Sequence, residues 1–258
     1  MAIIITAIMT IIPTKQDRFL RFWLAGLALV LLVLAVPSLI ARLKMLPGND
    51  IREKLLVQEK VTPTDLQKLE GTRRDVVEWF ADKSVLSDLA MIAEERFRSN
   101  PEDKPLFVAA KEWQERSLKD APADAYGWFR LSFLYYHEDK AVSERAVQAW
   151  VNSLRAAPYE PRLTLARLDL GMRFRDKLDD VSLLYLPTLM REQALLSADE
   201  LARIALRGRY VSEVEAALEG ASSLTDFRAA VSKRLRSVSQ GVAVRNAVRP
   251  ALSTSNPE

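Results

Sequence analysis

The chain has no cysteine, a single histidine and only eight glycines among its 258 residues. Without cysteine it can form neither a disulfide nor a thiolate metal site, while the redox compartment stays open. A histidine-centred triad would have to recruit His137, which stands beside Glu138 and Asp139 in a polar stretch that reads as an inter-helix loop. Neighbours on a loop do not converge on a metal as ligands must. The glycines are scattered, so no phosphate-cradling loop exists, and Gly208 and Gly220 read as helix ends. Asp179-Asp180 reads as a helix cap rather than a pair of catalytic carboxylates. The expectation is a protein that is not an enzyme, with no catalytic, cofactor-binding or metal-ligating residues.

Charge is also missing from one place. Phe22–Ala41 (FWLAGLALVLLVLAVPSLIA) carries none over twenty residues, which as a helix span about 30 Å, the thickness of a bilayer's hydrocarbon core. Its seven Leu, three Val, one Ile and one Phe favour insertion by roughly 4–7 kcal/mol as an upper figure. It has no polar face, Pro37 sits one turn from its end, and Trp23 lies at one edge. A cleaved signal peptide has a shorter apolar region ending at a small-x-small site; this run is longer, and Ser38-Leu39-Ile40-Ala41 fits that site poorly. The reading is an uncleaved signal anchor, residues 22–44, after a basic tail, residues 1–21. Lys15, Arg18 and Arg21 on one side nearly balance Arg42, Lys44, Arg52 and Lys54 on the other. The likeness to a signal anchor places the N-terminus in the cytoplasm. The apolar residues 2–12 (AIIITAIMTII) are too short to span.

The rest is charged, and patterned for helix. The net charge of +3 comes from the two ends, and the middle is balanced like a solvated helical surface. Residues 45–61 read as a linker and short helix, with a turn at Leu46-Pro-Gly-Asn-Asp50. Thr62-Pro63-Thr64-Asp65 starts a helix, interrupted near Gly71-Thr72. Further helices follow from Ser84, over Pro105–Asp120, Ala125–Tyr136, Ser143–Ala156 and Pro161–Phe174, then one after Asp179-Asp180 that Pro187 bends or breaks. Ser197-x-x-Glu200 is a capping box before Leu201–Arg207, and Val211–Leu218 and Leu224–Leu235 complete the set. No segment alternates strictly enough for a strand. Residues 237–258 read as a flexible basic tail.

Two pieces of the chain match at a fixed offset. Ser117-Leu-Lys-Asp-Ala-Pro122 returns as Ser153-Leu-Arg-Ala-Ala-Pro158 thirty-six residues later, and Ala110 returns as Ala146. Trp113 and Trp150 agree within one position. Periods of this size mark stacked helical units. The stretch Trp128-x-x-Leu131-Ser132-x-x-Tyr135, followed by Ala146, Trp150, Ser153 and Pro158, resembles a tetratricopeptide repeat. Ser132 stands where that family has Gly, Ser153 where it has Ala, and the loop around His137 is about two residues longer. The resemblance implies an all-α fold: one N-terminal transmembrane helix, then an α-solenoid of degenerate TPR-like hairpins over residues 62–236.

Membrane-anchored proteins of this kind imply a function. The chain would be a single-pass scaffold in a bacterial inner membrane, held through residues 22–41 with its large domain periplasmic. It would bind a protein partner in the repeat groove within a cell-envelope assembly, such as polysaccharide synthesis or export, or cytochrome maturation. Most aromatics between Tyr126 and Trp150 read as inter-repeat core. Tyr126, Arg130, Asn152 and Arg155 are the candidate partner-binding residues on the groove. The alternative is a module that grips an acidic polymer or lipid head groups through Arg228, Lys233, Arg234, Arg236, Arg245 and Arg249. No nucleic-acid partner is expected outside the cytoplasm.

Overall fold

The computed structural model describes residues 15–56, 59–100, 102–139 and 141–253, with backbone alone for 15–22, 238 and 240–253. The apolar residues 2–12 lie outside the described residues. The described chain is helical, with no strand. It divides after Ser99 into two compact units.

The first unit holds α1 (Lys15–Met45), α2 (Asn49–Leu56), α3 (Pro63–Val77) and α4 (Lys83–Ser99). Among the described residues α1 is the one helix long and apolar enough to cross a membrane. Its large side chains from Trp23 to Leu34 are all more than half exposed, a surface that water would not leave bare on a soluble helix. A 3-10 turn, Leu46–Gly48, leads directly into α2. The expected linker is therefore folded backbone. Thr62 caps α3 through a reciprocal box with Asp65, and Pro63 occupies the first position, as the sequence indicates. The helix runs through Gly71 because Leu66, Leu69, Arg73 and Val76 bury one continuous stripe on either side of it.

The second unit contains α5 (Lys104–Asp120), α6 (Ala125–Asp139), α7 (Glu144–Ala156) and α8 (Pro161–Phe174). It continues with α9 (Asp180–Leu183), α10 (Tyr185–Gly208), α11 (Val211–Ala217) and α12 (Ser223–Ser253). Its core gathers Trp150, Leu168, Phe174, Leu201 and Phe227, all fully buried. The sequence echo is also a structural one. Ala121 N donates to Ser117 O at 3.0 Å, and Ala157 N to Ser153 O at 3.3 Å. Both alanines leave the helical region, at φ −135° and −149°, and α6 and α8 begin at matching positions after them.

The two serines that depart from the family pattern each reach a neighbouring helix. Ser132 Oγ donates to Ala146 O at 2.7 Å, joining α6 to α7. Ser153 Oγ donates to Ala125 O at 2.8 Å and accepts from Arg167 Nε at 3.0 Å. Arg167 is fully buried and donates to the carbonyls of Ser153 and Ala157, so it closes the C-terminal end of α7. Burial holds this guanidinium below its ordinary pKa.

Two local readings change. The polar stretch His137–Asp139 is the last turn of α6, not a loop. Acids at a helix C-terminus oppose its dipole, but Lys111 and Arg145 neutralise Glu138, and Arg145 also pairs with Asp139. The helix capped by Asp179 stops at Leu183, four residues before Pro187, which then lies in the first turn of α10, so the break read at Pro187 is observed just ahead of it. The cap read at Ser197 is also observed: its backbone is extended and its hydroxyl accepts from Glu200 N at 3.3 Å. Finally, α12 continues past Leu235 to Ser253, through residues read as a flexible tail.

Candidate functional site

The second unit carries an apolar cleft of about 340 Å³, lined by Leu154 and Pro158 at the end of α7, Tyr159, Val181 of α9, and α10. Tyr159 is 80% exposed, Val181 67% and Leu184 70%. The face continues along the first half of α10. Leu184, Thr188, Glu192 and Leu195 follow one another at helical spacing, and Leu195 is 79% exposed. From Leu184 to Leu196 this stripe is about 18 Å long, three helical turns. The opposite face of the same helix is core, through Leu186, Leu189, Met190 and Ala194. The outer side of the first half of α10 exposes Leu184, Leu195 and Leu196, interrupted by Thr188 and Glu192, and has nothing over it among the described residues.

Glu192 gives the cleft its one carboxylate. Desolvation raises its pKa, and the nearby Arg167 charge and a Thr164 hydrogen bond hold the rise in check. Asp179, at the N-cap of α9, accepts from Ser182 N at 2.7 Å. That bond keeps its carboxyl below the usual range, with Arg155 adding to the effect. The capping role read for Asp179 is thus observed.

The four candidate groove residues do not form one free face. Tyr126 Oη donates to Glu160 at 2.8 Å, and burial together with that bond raises its pKa to about 12. Arg130 donates to Gln114 at 2.6 Å. Asn152 is half-buried and accepts from Gln148. Arg155 is exposed next to Leu154, on the rim of the apolar cleft. Their polar groups mostly tie the helix layers together. Tyr159, Val181, Leu184 and Leu195 escaped the sequence reading because exposure of an apolar side chain leaves no periodic mark. A signal was there: α10 has more apolar residues before Ser197 than one buried stripe can use.

A second concavity of about 590 Å³ lies between the end of α8 and the end of α10, lined by Asp169, Met172, Arg173, Arg175, Asp176 and residues 207–210. The basic residues near the C-terminus are less available than the sequence suggests. Arg228 pairs with Glu215 at 2.7 Å, and Arg234 pairs with Asp199. Arg245 and Arg249 lie where only the backbone is described. His137 packs against Phe133, with ring centroids 4.2 Å apart.

No family model, no curated protein and no solved structure matches this chain.

Proposed function

We propose that this chain is a single-pass, membrane-anchored helical scaffold that holds a short amphipathic segment of a protein partner. The observation that carries this reading is the set of exposed apolar side chains, Tyr159, Val181, Leu184, Leu195 and Leu196, around the cleft and along α10. A contiguous exposed apolar face rimmed by polar residues is a mark of an interaction site. Its length suits three turns of a partner helix laid into a groove, and Glu192 favours a partner with one cation among its apolar side chains. The tetratricopeptide resemblance, the matched caps at Ala121 and Ala157, and the exposed apolar α1 support a repeat-type adaptor fixed to a bacterial inner membrane. In this reading the second unit lies on the periplasmic side, within an envelope assembly such as polysaccharide synthesis or export.

The test is substitution of two exposed residues, Val181→Asp with Leu184→Asp, in the full chain. Both side chains face solvent, so helix content is expected to persist. The partner that co-purifies crosslinked from membranes is expected to disappear. Recovery of the same partner from the variant would contradict the proposal.

A further inference from the structure

The cleft between α8 and α10 departs from ordinary surface in three ways. It gathers four guanidiniums, Arg173, Arg175, Arg207 and Arg209, against the carboxylates of Asp169 and Asp176. Asp169 is shared: Arg207 reaches it at 2.7 Å and Arg173 at 3.2 Å. Arg175 is engaged by Glu213 at 2.9 Å and Asp176 at 3.4 Å. Arg209 has no acidic partner among the described residues, and it is exposed. The carbonyl end of α10 opposes an anion here, but its half charge is smaller than the one-charge excess of the four arginines over Asp169, Asp176 and Glu213.

Arg209 is also the one non-glycine residue with a left-handed backbone among the described residues, at φ 59° and ψ 40°. Glycine or asparagine usually takes this position after a helix. Here the glycine stands one residue earlier. A Cβ on Gly208 would lie 2.3 Å from the Tyr210 ring, so glycine lets that ring fold across the helix end. The strained position is left to an arginine, whose guanidinium lines the cleft. Strain of this kind, held by the surrounding structure, points to use.

The third departure is Tyr210 itself. It is 3% exposed, and its hydroxyl has no hydrogen-bond partner among the described residues. Asp169, Arg173 and Arg207, whose charges act on that hydroxyl, all line the cleft. Tyr210 itself lines the cleft, beside Arg209. A buried polar group without a partner is unfavourable, and a ligand oxygen reaching it would remove the cost.

We propose that this cleft is an oxyanion-binding site, taking a phosphate or carboxylate group through Arg209 and the Tyr210 hydroxyl, with Arg173 and Arg207 supplying field. Its volume suits a small ligand or one sugar unit of an acidic glycan. Forked guanidiniums bind such groups in two-pronged fashion. The site is independent of the apolar cleft and stands if the protein-partner reading fails.

The experiment uses the full chain in detergent micelles. Calorimetry is run with inorganic phosphate, with a galacturonate oligomer and with the matching neutral sugar, on the wild type, Arg209→Gly and Tyr210→Phe. Saturable binding of phosphate or galacturonate, and not of the neutral sugar, is expected, and which of the two binds identifies the source of the oxyanion. Arg209→Gly is expected to weaken binding about tenfold or more while raising the ligand-free Tm, because it removes both the charge and the backbone strain. Tyr210→Phe is expected to weaken binding with the ligand-free Tm unchanged or raised. Absence of binding by both oxyanions at millimolar concentration would overturn the proposal. So would binding that neither substitution alters.

Discussion

Arg73 donates from Nη1 to the carbonyl of Met45 at 2.8 Å, so a side chain of α3 closes the last turn of the apolar helix α1. The same guanidinium reaches Asp88 at 2.8 Å and Asn49 at 2.9 Å, and Arg52 shares Asp88 at 2.7 Å. Gly48 permits this approach: a Cβ there would stand 2.8 Å from Leu69 and 3.2 Å from the Arg73 guanidinium. The exit from α1 is therefore a packed junction within the first unit, held by one arginine that is 1% exposed.

Arg73→Met is expected to destabilise the first unit by about 3 kcal/mol, the lower end for breaking a buried pair, since Arg52 still serves Asp88. Amide exchange over residues 45–52 is expected to accelerate. Unchanged protection there would contradict the junction.

The same junction fixes depth. On α1, Ser38, Ala41 and Met45 form the covered face, and α3 packs against this helix. Lys44 Nζ lies 5.7 Å from the Trp79 ring, which is 44% exposed. If α1 spans the bilayer, Trp79 stands at head-group level, where an indole is favoured. The lack of cysteine makes this measurable by single-site nitroxide labels in reconstituted protein. A label at Leu31→Cys is expected in the hydrocarbon, and one at Ala81→Cys at the interface. Water access at Leu31 would refute the span. Full water access at Ala81, with Leu31 buried, would refute only the seating of α3.

In the second unit, Arg167 serves two carbonyls and one hydroxyl, with no carboxylate hydrogen-bonded to it among the described residues. Arg167→Leu would leave the end of α7 unsatisfied in the interior, at about 2–3 kcal/mol. Ser153→Ala removes three of the same network's bonds, at about 1 kcal/mol. Denaturant midpoints of the two single variants and the double variant test this. A double variant equal to the sum of the singles would show that they do not act as one network.

Gly171 marks the closest approach of α8 to its neighbours. A Cβ there would meet Trp150 at 2.4 Å and Leu186 at 2.9 Å. Gly171→Ala is expected to cost about 1–3 kcal/mol by overpacking, despite the better helix propensity of alanine. A stabilised variant in thermal unfolding would contradict that packing.

Much of the helical layout is legible from local chemistry. Pro63, Ser143, Pro161 and Asp179 start helices where their capping chemistry says they must. What misled was also local. Glu138 and Asp139 look like a loop until Lys111 and Arg145, brought from other helices, neutralise them. The site was less legible than the fold. Tyr126 and Arg130 are polar residues on a repeat helix, and only the packed partners Glu160 and Gln114 reveal that they are occupied. The division after Ser99 had no mark beyond Asn100-Pro101, which resembles every other helix stop in the chain.

The face formed by Tyr159, Val181 and α10 is the proposed seat of a protein partner at the membrane. Photo-crosslinking amino acids placed at Tyr159 and Leu195, with one at exposed Lys177 as control, test it in intact cells. The account predicts one shared adduct of discrete mass from positions 159 and 195, absent at 177 and lost with Val181→Asp and Leu184→Asp. No discrete adduct from either position, or the same adducts from all three, would contradict it.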